Sequence, residues 1–224
     1  MAETVPGWLK VGQARMLFDA VLARPLGATV LEIGSHQGRS TVVLARALRA
    51  RSGSLVCVDP FVDGRLFGGS PTRTKFERNV LEAGVADVVT LEAEFSTRLR
   101  PRWTRSFDLL YIDGKHDYWT VVDDLGWTEH LSLGALTLIH DSFCSVGVTS
   151  ALLDQVLVRG RLRYLRRETT MAVFDRAAPT GADRKRLMAE LPWFTRNVTI
   201  KAARRVHATP VLKALKHDSP YDPY

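Results

Sequence analysis

The sequence predicts an α/β fold: a Rossmann-like, doubly wound sheet of seven strands, mostly parallel with a closing antiparallel strand, plus an N-terminal helix and a C-terminal helical extension. Three observations predict it. Apolar, strand-like runs alternate with helix-periodic segments through most of the chain. One run, "FDLLYID", shows almost no polar alternation, the pattern of a central parallel strand buried on both faces. Acids or glycine turns follow the strand ends, which is where a doubly wound sheet carries its ligands.

The elements follow in order. "QARMLFDAVLAR" places Met16, Leu17, Val21 and Leu22 at helical spacing, and Pro25 follows. "TVLEI" reads as a strand, "TVVLARALRA" as a helix and "SLVCVD" as the second strand. "PFVDGRLFGGSPTR", rich in Gly and Pro, reads as a loop and a candidate lid. "KFERNVLEAG" is a helix stopped at Gly84, and "VVTLEA" a strand. After the fourth strand, "YWTVVDDLGWTEHL" is a helix that Asp117 can cap and whose Asp123 and Asp124 are expected on its exposed face. "GALTLIHD" is a strand and "VTSALLDQVLVRG" a helix. "LRYLRRETTMAVFDR" reads as a closing strand pair that turns near "RRET", and "GADRKRLMAELPWF" as a further helix. The chain then divides into an N-terminal helical segment (1–26), a sheet domain (27–176) and a basic helical extension (177–224).

A chain of 224 residues is ample for one two-sided core. No apolar stretch is long enough to span a bilayer, and "MAETVPGWLK" lacks a basic-then-apolar leader pattern. The two cysteines, Cys57 and Cys144, are far apart in apolar segments. That argues for a reducing compartment and against a disulfide framework or a cysteine metal site, so a cytoplasmic location is expected. The net charge is +7 and the excess sits late, in "RGRLRYLRRE", "DRKR" and "KAARRVHATPVLKALKH". A solvated basic face is the simpler reading, and peripheral contact with an anionic surface the sharper one.

"VLEIGSHQGRST" joins a strand to a helix start through a turn with two glycines, Gly34 and Gly38. A dinucleotide fingerprint would need a middle glycine, absent here, which argues against a nicotinamide dehydrogenase. Glu32 would repel a phosphate, so a ligand with a cationic part fits better. S-adenosylmethionine (SAM) is such a ligand: its amino group is positive, and Ser40 at the helix start can donate to its carboxylate. Asp59, at the end of the second strand, stands roughly where such folds hold ribose hydroxyls. Beyond the fourth strand stand Asp113, His116 and Asp117, and beyond the fifth His140, Asp141 and Ser142. Neighbouring strands lie about 4.8 Å apart, so these exits face each other, and paired carboxylates suit a hard cation.

Together, "VLEIGSHQGRST", the acid of "VCVDP" and "FDLLYIDGKHDY…LGALTLIHD" resemble the class I SAM-dependent methyltransferases. Within these, the chain looks like the divalent-metal-dependent O-methyltransferases of the macrocin and mycinamicin sugar type, over roughly Gly27 to Asp175. The resemblance implies SAM held by Glu32, Gly34, Ser35, Gly38, Ser40, Asp59, Ser96 and Asp113, with Ser96 at the adenine; by their place in the first turn, His36 and Gln37 are candidates to line the methionine end. It implies Mg2+ held by Asp113 and Asp141. The third ligand in the family is a Glu before the second acid or an Asn after it. Here those places are His140 and Ser142, and either is a candidate. His116 matches the general base. The acceptor would be a hydroxyl of a sugar, a glycolipid or oligosaccharide, or a related secondary metabolite, and a homodimer is expected. A SAM- or SAH-binding partner protein without catalysis is the alternative, because of the altered third ligand. The terminal "SPYDPY" is like an amino-methyltransferase motif that belongs after the fourth strand, where this chain reads "YIDGKH", so nucleic acid is not the expected partner.

Overall fold

The computed structural model describes residues 5–63 and 68–219. The middle of the candidate lid loop and all but the start of "SPYDPY" lie outside the described residues. The chain order is α1 (Val11–Leu22), β1 (Thr29–Ile33), α2 (Arg39–Arg49), β2 (Ser54–Val58), α3 (Ser70–Glu82), β3 (Val89–Glu92) and α4 (Ser96–Leu99). It continues with β4 (Phe107–Ile112), α5 (Tyr118–Leu125), β5 (Leu131–Ile139), α6 (Val146–Leu153), β6 (Arg163–Glu168), β7 (Met171–Asp175), α7 (Gly181–Met188), α8 (Leu191–Arg205) and α9 (Thr209–Ala214).

Seven strands form one sheet in the order β3-β2-β1-β4-β5-β7-β6. β1 pairs in parallel with β2 and β4, and β4 with β5, while β7 runs antiparallel to both β5 and β6. The order reverses between β1 and β4, so the switch point lies beyond Ile33 and Ile112, which are register partners. Alternate residues of the central strands serve two cores. Leu31, Ile33, Leu110 and Ile112 join Val121, Leu125 and Leu152 on one face. Val30, Leu109 and Tyr111 join Leu17, Leu44 and Leu48 on the other. Two-sided burial is why "FDLLYI" reads as continuous apolar chain.

Element boundaries differ from expectation where local chemistry acts. α3 begins at Ser70, five residues early, because Pro71 in its first turn needs no N–H partner. Pro192 likewise opens a new helix, so the expected single helix after residue 180 is two, α7 and α8. The terminal helices are built into the fold. α1 buries Gln13, Met16, Leu17, Ala20 and Val21, and α8 buries Asn197 and Ile200. Asn197 Nδ2 donates to the Phe143 carbonyl at 2.9 Å, tying α8 to the turn after β5. No described helix is long and apolar enough to cross a membrane.

Candidate functional site

The first turn is held shut from below. Gly34 has φ +84°, and a Cβ there would lie 2.3 Å from the Asp113 carbonyl oxygen and 2.8 Å from Gly114 Cα. Only glycine lets the turns after β1 and β4 touch in this way. Gly38, at φ +87°, is the N-cap of α2.

Glu32 does not face a ligand crevice. It is fully buried, and its carboxylate accepts from the hydroxyls of Ser35, Ser40 and Thr41 and from the Cys57 thiol. Burial pushes its carboxyl up, and these donors partly offset the shift. Ser40, expected to donate to the SAM carboxylate, spends its hydroxyl hydrogen on Glu32 instead. An acid at this position therefore staples β1, β2 and α2 together. Asp59 also works on the turn. Its Oδ2 accepts from the backbone N–H groups of Ser35 and His36, at 3.0 and 2.9 Å, and its Oδ1 from that of Phe61 at 2.9 Å. Ser96 Oγ donates to Asp124 Oδ1 at 2.5 Å. Asp124 was expected on an exposed face and is 2% exposed, with its carboxyl pushed up to about 6 by burial against the pull of Ser96. Trp8 lies over His36, ring centroids 5.3 Å apart.

The second half of the site forms past β4 and β5. Asp113, His116 and Asp141 each offer a donor atom, all within 4.8 Å of one another. His116 Nε2 lies 3.2 Å from Asp141 Oδ2 and 3.8 Å from Asp113 Oδ1. His140 Nδ1 lies 3.3 Å from Asp113 Oδ1 and 3.6 Å from Asp141 Oδ1. Asp141 adopts φ +53°, a left-handed turn that aspartate tolerates better than most residues. Tyr111 donates its hydroxyl to Asp113 Oδ2 at 3.0 Å, and the Cys144 thiol donates to Asp141 Oδ1 at 3.2 Å. Asp117 caps α5, accepting from the Thr120 N–H at 3.1 Å. Ser142 is fully buried, and its hydroxyl donates to the Ile139 carbonyl at 2.8 Å.

The electrostatics are those of a caged pair of acids. Burial raises Asp113 and Asp141, but the two histidines more than offset it and hold both carboxyls below the usual range. Burial alone would lower His140, yet Asp113 and Asp141 lift it to about 10. His116 is raised as well, burial being outweighed by the same two acids.

Gln13, Tyr111 and Cys144 also touch the cluster, and the sequence reading assigns none of them to the site. Gln13 was the legible one. It occupies the first position of the buried α1 stripe 13, 16, 17, 20 and 21, where a polar residue needs a partner inside.

This is a doubly wound sheet with the acid cluster at the carboxyl ends of its central strands, the place where such sheets hold their ligands. Residues 31–142, half of the chain, match the family described as a methyltransferase domain, and the chain belongs to that family. Its fold is similar to that of the O-methyltransferase from Bacillus cereus solved with SAH (19% identity, 77% of this chain and 84% of that one, TM-score 0.60). It is also similar to the SAH-bound methyltransferase PaMTH1 of Podospora anserina (17%, 72% and 76%, TM-score 0.58). A third similar structure is CalS11, a TDP-rhamnose 3'-O-methyltransferase of calicheamicin biosynthesis (21%, 75% and 81%, TM-score 0.52).

Proposed function

We propose that the chain is a SAM-dependent O-methyltransferase that uses a divalent cation to present an acceptor hydroxyl, with a sugar or a related metabolite as the acceptor. The observation that carries this reading is the convergence of Asp113, His116, His140 and Asp141 beyond β4 and β5, directly beside the Gly34 turn. The likeness to SAH-bound structures supports the cofactor, and that to CalS11 supports the sugar acceptor.

The residues fit a cation. His140 Nδ1, buried and with no hydrogen-bond partner among the described residues, lies 3.3 and 3.6 Å from one oxygen of each of two carboxylates, Asp113 and Asp141. Asp113, Asp141 and His140 would hold the ion, which would supply Lewis acidity when bound. SAM supplies a methyl group on a positive sulfur.

The chain's own residues do the rest. His140 is 5% exposed and lies behind the acids, whereas the His116 side chain is 44% exposed and faces outward. His116 is therefore the nitrogen an incoming hydroxyl meets, and it takes the proton as the oxygen attacks. Its Nε2 lies 3.2 Å from Asp141 Oδ2, so the Asp141 carboxylate is placed to stabilise the charge the imidazole gains. The Gly34–Asp113 contact fixes the distance between the cofactor turn and the acid cluster, so much of the rate comes from alignment.

Methyl transfer to a panel of hydroxylated acceptors, with and without EDTA, tests the reading. His116→Ala should lower turnover by about 10²–10⁴-fold and leave SAH affinity nearly unchanged. SAH binding with no transfer to any acceptor would point instead to a non-catalytic partner protein.

A further inference from the structure

We propose that Gln13, on the N-terminal helix, fixes which nitrogen of His140 meets the cation, and that the site therefore prefers a nitrogen-accepting first-row ion (Fe2+, Co2+ or Zn2+) to Mg2+. This rests on the reading of the acid cluster as a cation site.

The argument is one of donors and acceptors. The Lys10 backbone N–H reaches Gln13 Oε1 at 3.0 Å, and a backbone N–H can only donate. That fixes the orientation of the Gln13 amide, whose Nε2 donates to Thr170 Oγ1 at 3.1 Å. The same Oε1 lies 3.2 Å from His140 Nε2. An amide oxygen only accepts, so Nε2 must carry a hydrogen. Nδ1 is left facing the two aspartates, buried and without a hydrogen-bond partner among the described residues. Its separations from Asp113 Oδ1 and Asp141 Oδ1, 3.3 and 3.6 Å, are close to those of neighbouring ligands on one ion, about 3 Å when each bond is about 2.1 Å.

The donor set then contains an imidazole nitrogen. Mg2+ prefers oxygen ligands and sheds water reluctantly, whereas imidazole suits iron, cobalt and zinc. Gln13 acts through His140, as groups that orient a ligating histidine do, and is a positioning residue. The N-terminal helix is therefore part of the site, although it lies outside residues 31–142 that match the family.

The test is calorimetry and Co2+ absorption on the full chain, stripped with chelator, at one pH. Wild type should bind Co2+ at least about tenfold more tightly than Mg2+. Gln13→Met, which has no acceptor oxygen, should lose about 10–100-fold in Co2+ affinity and shift the Co2+ spectrum. Gln13→Glu keeps an acceptor and should stay within a few-fold of wild type. Equal Co2+ affinity and spectrum in Gln13→Met, or Mg2+ bound as tightly as Co2+, overturns the inference and leaves the cation reading standing. No cation bound by wild type overturns both. If Gln13→Met does not fold, pulsed EPR of the Cu2+-loaded His116→Asn protein decides: imidazole nitrogen modulation supports His140 as the ligand, and its absence overturns it.

Discussion

At the residue scale, Gly34 shows how tightly the two turns are built against each other. Gly34 lets the β1 turn rest on the Asp113 carbonyl, and a methyl group would meet that oxygen at 2.3 Å. Gly34→Ala should therefore part the two turns and weaken SAH binding by tenfold or more in a titration, with a drop of several degrees in Tm. Asp124 offers a test of burial. Its carboxyl is raised from 3.8 to about 6, so its contribution to stability is full below pH 3.8 and lost as pH rises through about 6. Asp124→Asn removes that loss. In urea unfolding, the stability of wild type relative to the variant should fall by about 1–3 kcal/mol between pH 4 and pH 7. A flat difference would mean that Ser96 already holds the charge. Glu32 shows what the sequence leaves hidden. An acid between a strand and a glycine turn reads as a ligand group. Only the fold shows three hydroxyls and a thiol closing over it.

At the scale of elements, most of the sheet was legible because each strand and helix carries its own period. The strands after which the acids stand, β4 and β5, were plain, and so were Asp113 and Asp141. What was not legible came from contacts distant in sequence. Gln13 reaches His140 across 127 residues, and no local pattern announces that pairing. The Pro192 break and the early start of α3 were local signals that helix periodicity outweighed. α5 carries a further prediction. Asp117 caps it and follows His116, and its carboxyl is held at about 2, first by Lys115 and then by Thr120. Asp117→Ala should fray the first turn, cost about 1 kcal/mol in unfolding experiments and lower turnover by misplacing His116. Asp117→Asn, which still caps, should restore both.

At the scale of the whole molecule, the acid–imidazole cluster ties stability to pH. His140 is raised from 6.5 to about 10, so its share of stability is full below pH 6.5 and fades as pH climbs towards 10. Asp113 and Asp141 are lowered from 3.8, so theirs is full above that value and lost as pH falls. Chelator-treated protein should melt highest between about pH 4 and 6.5, and His140→Gln should flatten the alkaline decline in a scan of Tm against pH. The thiols add a way to watch the molecule open. Cys57 lies under the first turn and Cys144 beside Asp141, both buried and both pushed up by burial. An alkylating reagent in neutral buffer should find neither until something gives way, so two labelling rates would time separately the loosening of the turn after β1 and of the acid cluster beyond β5.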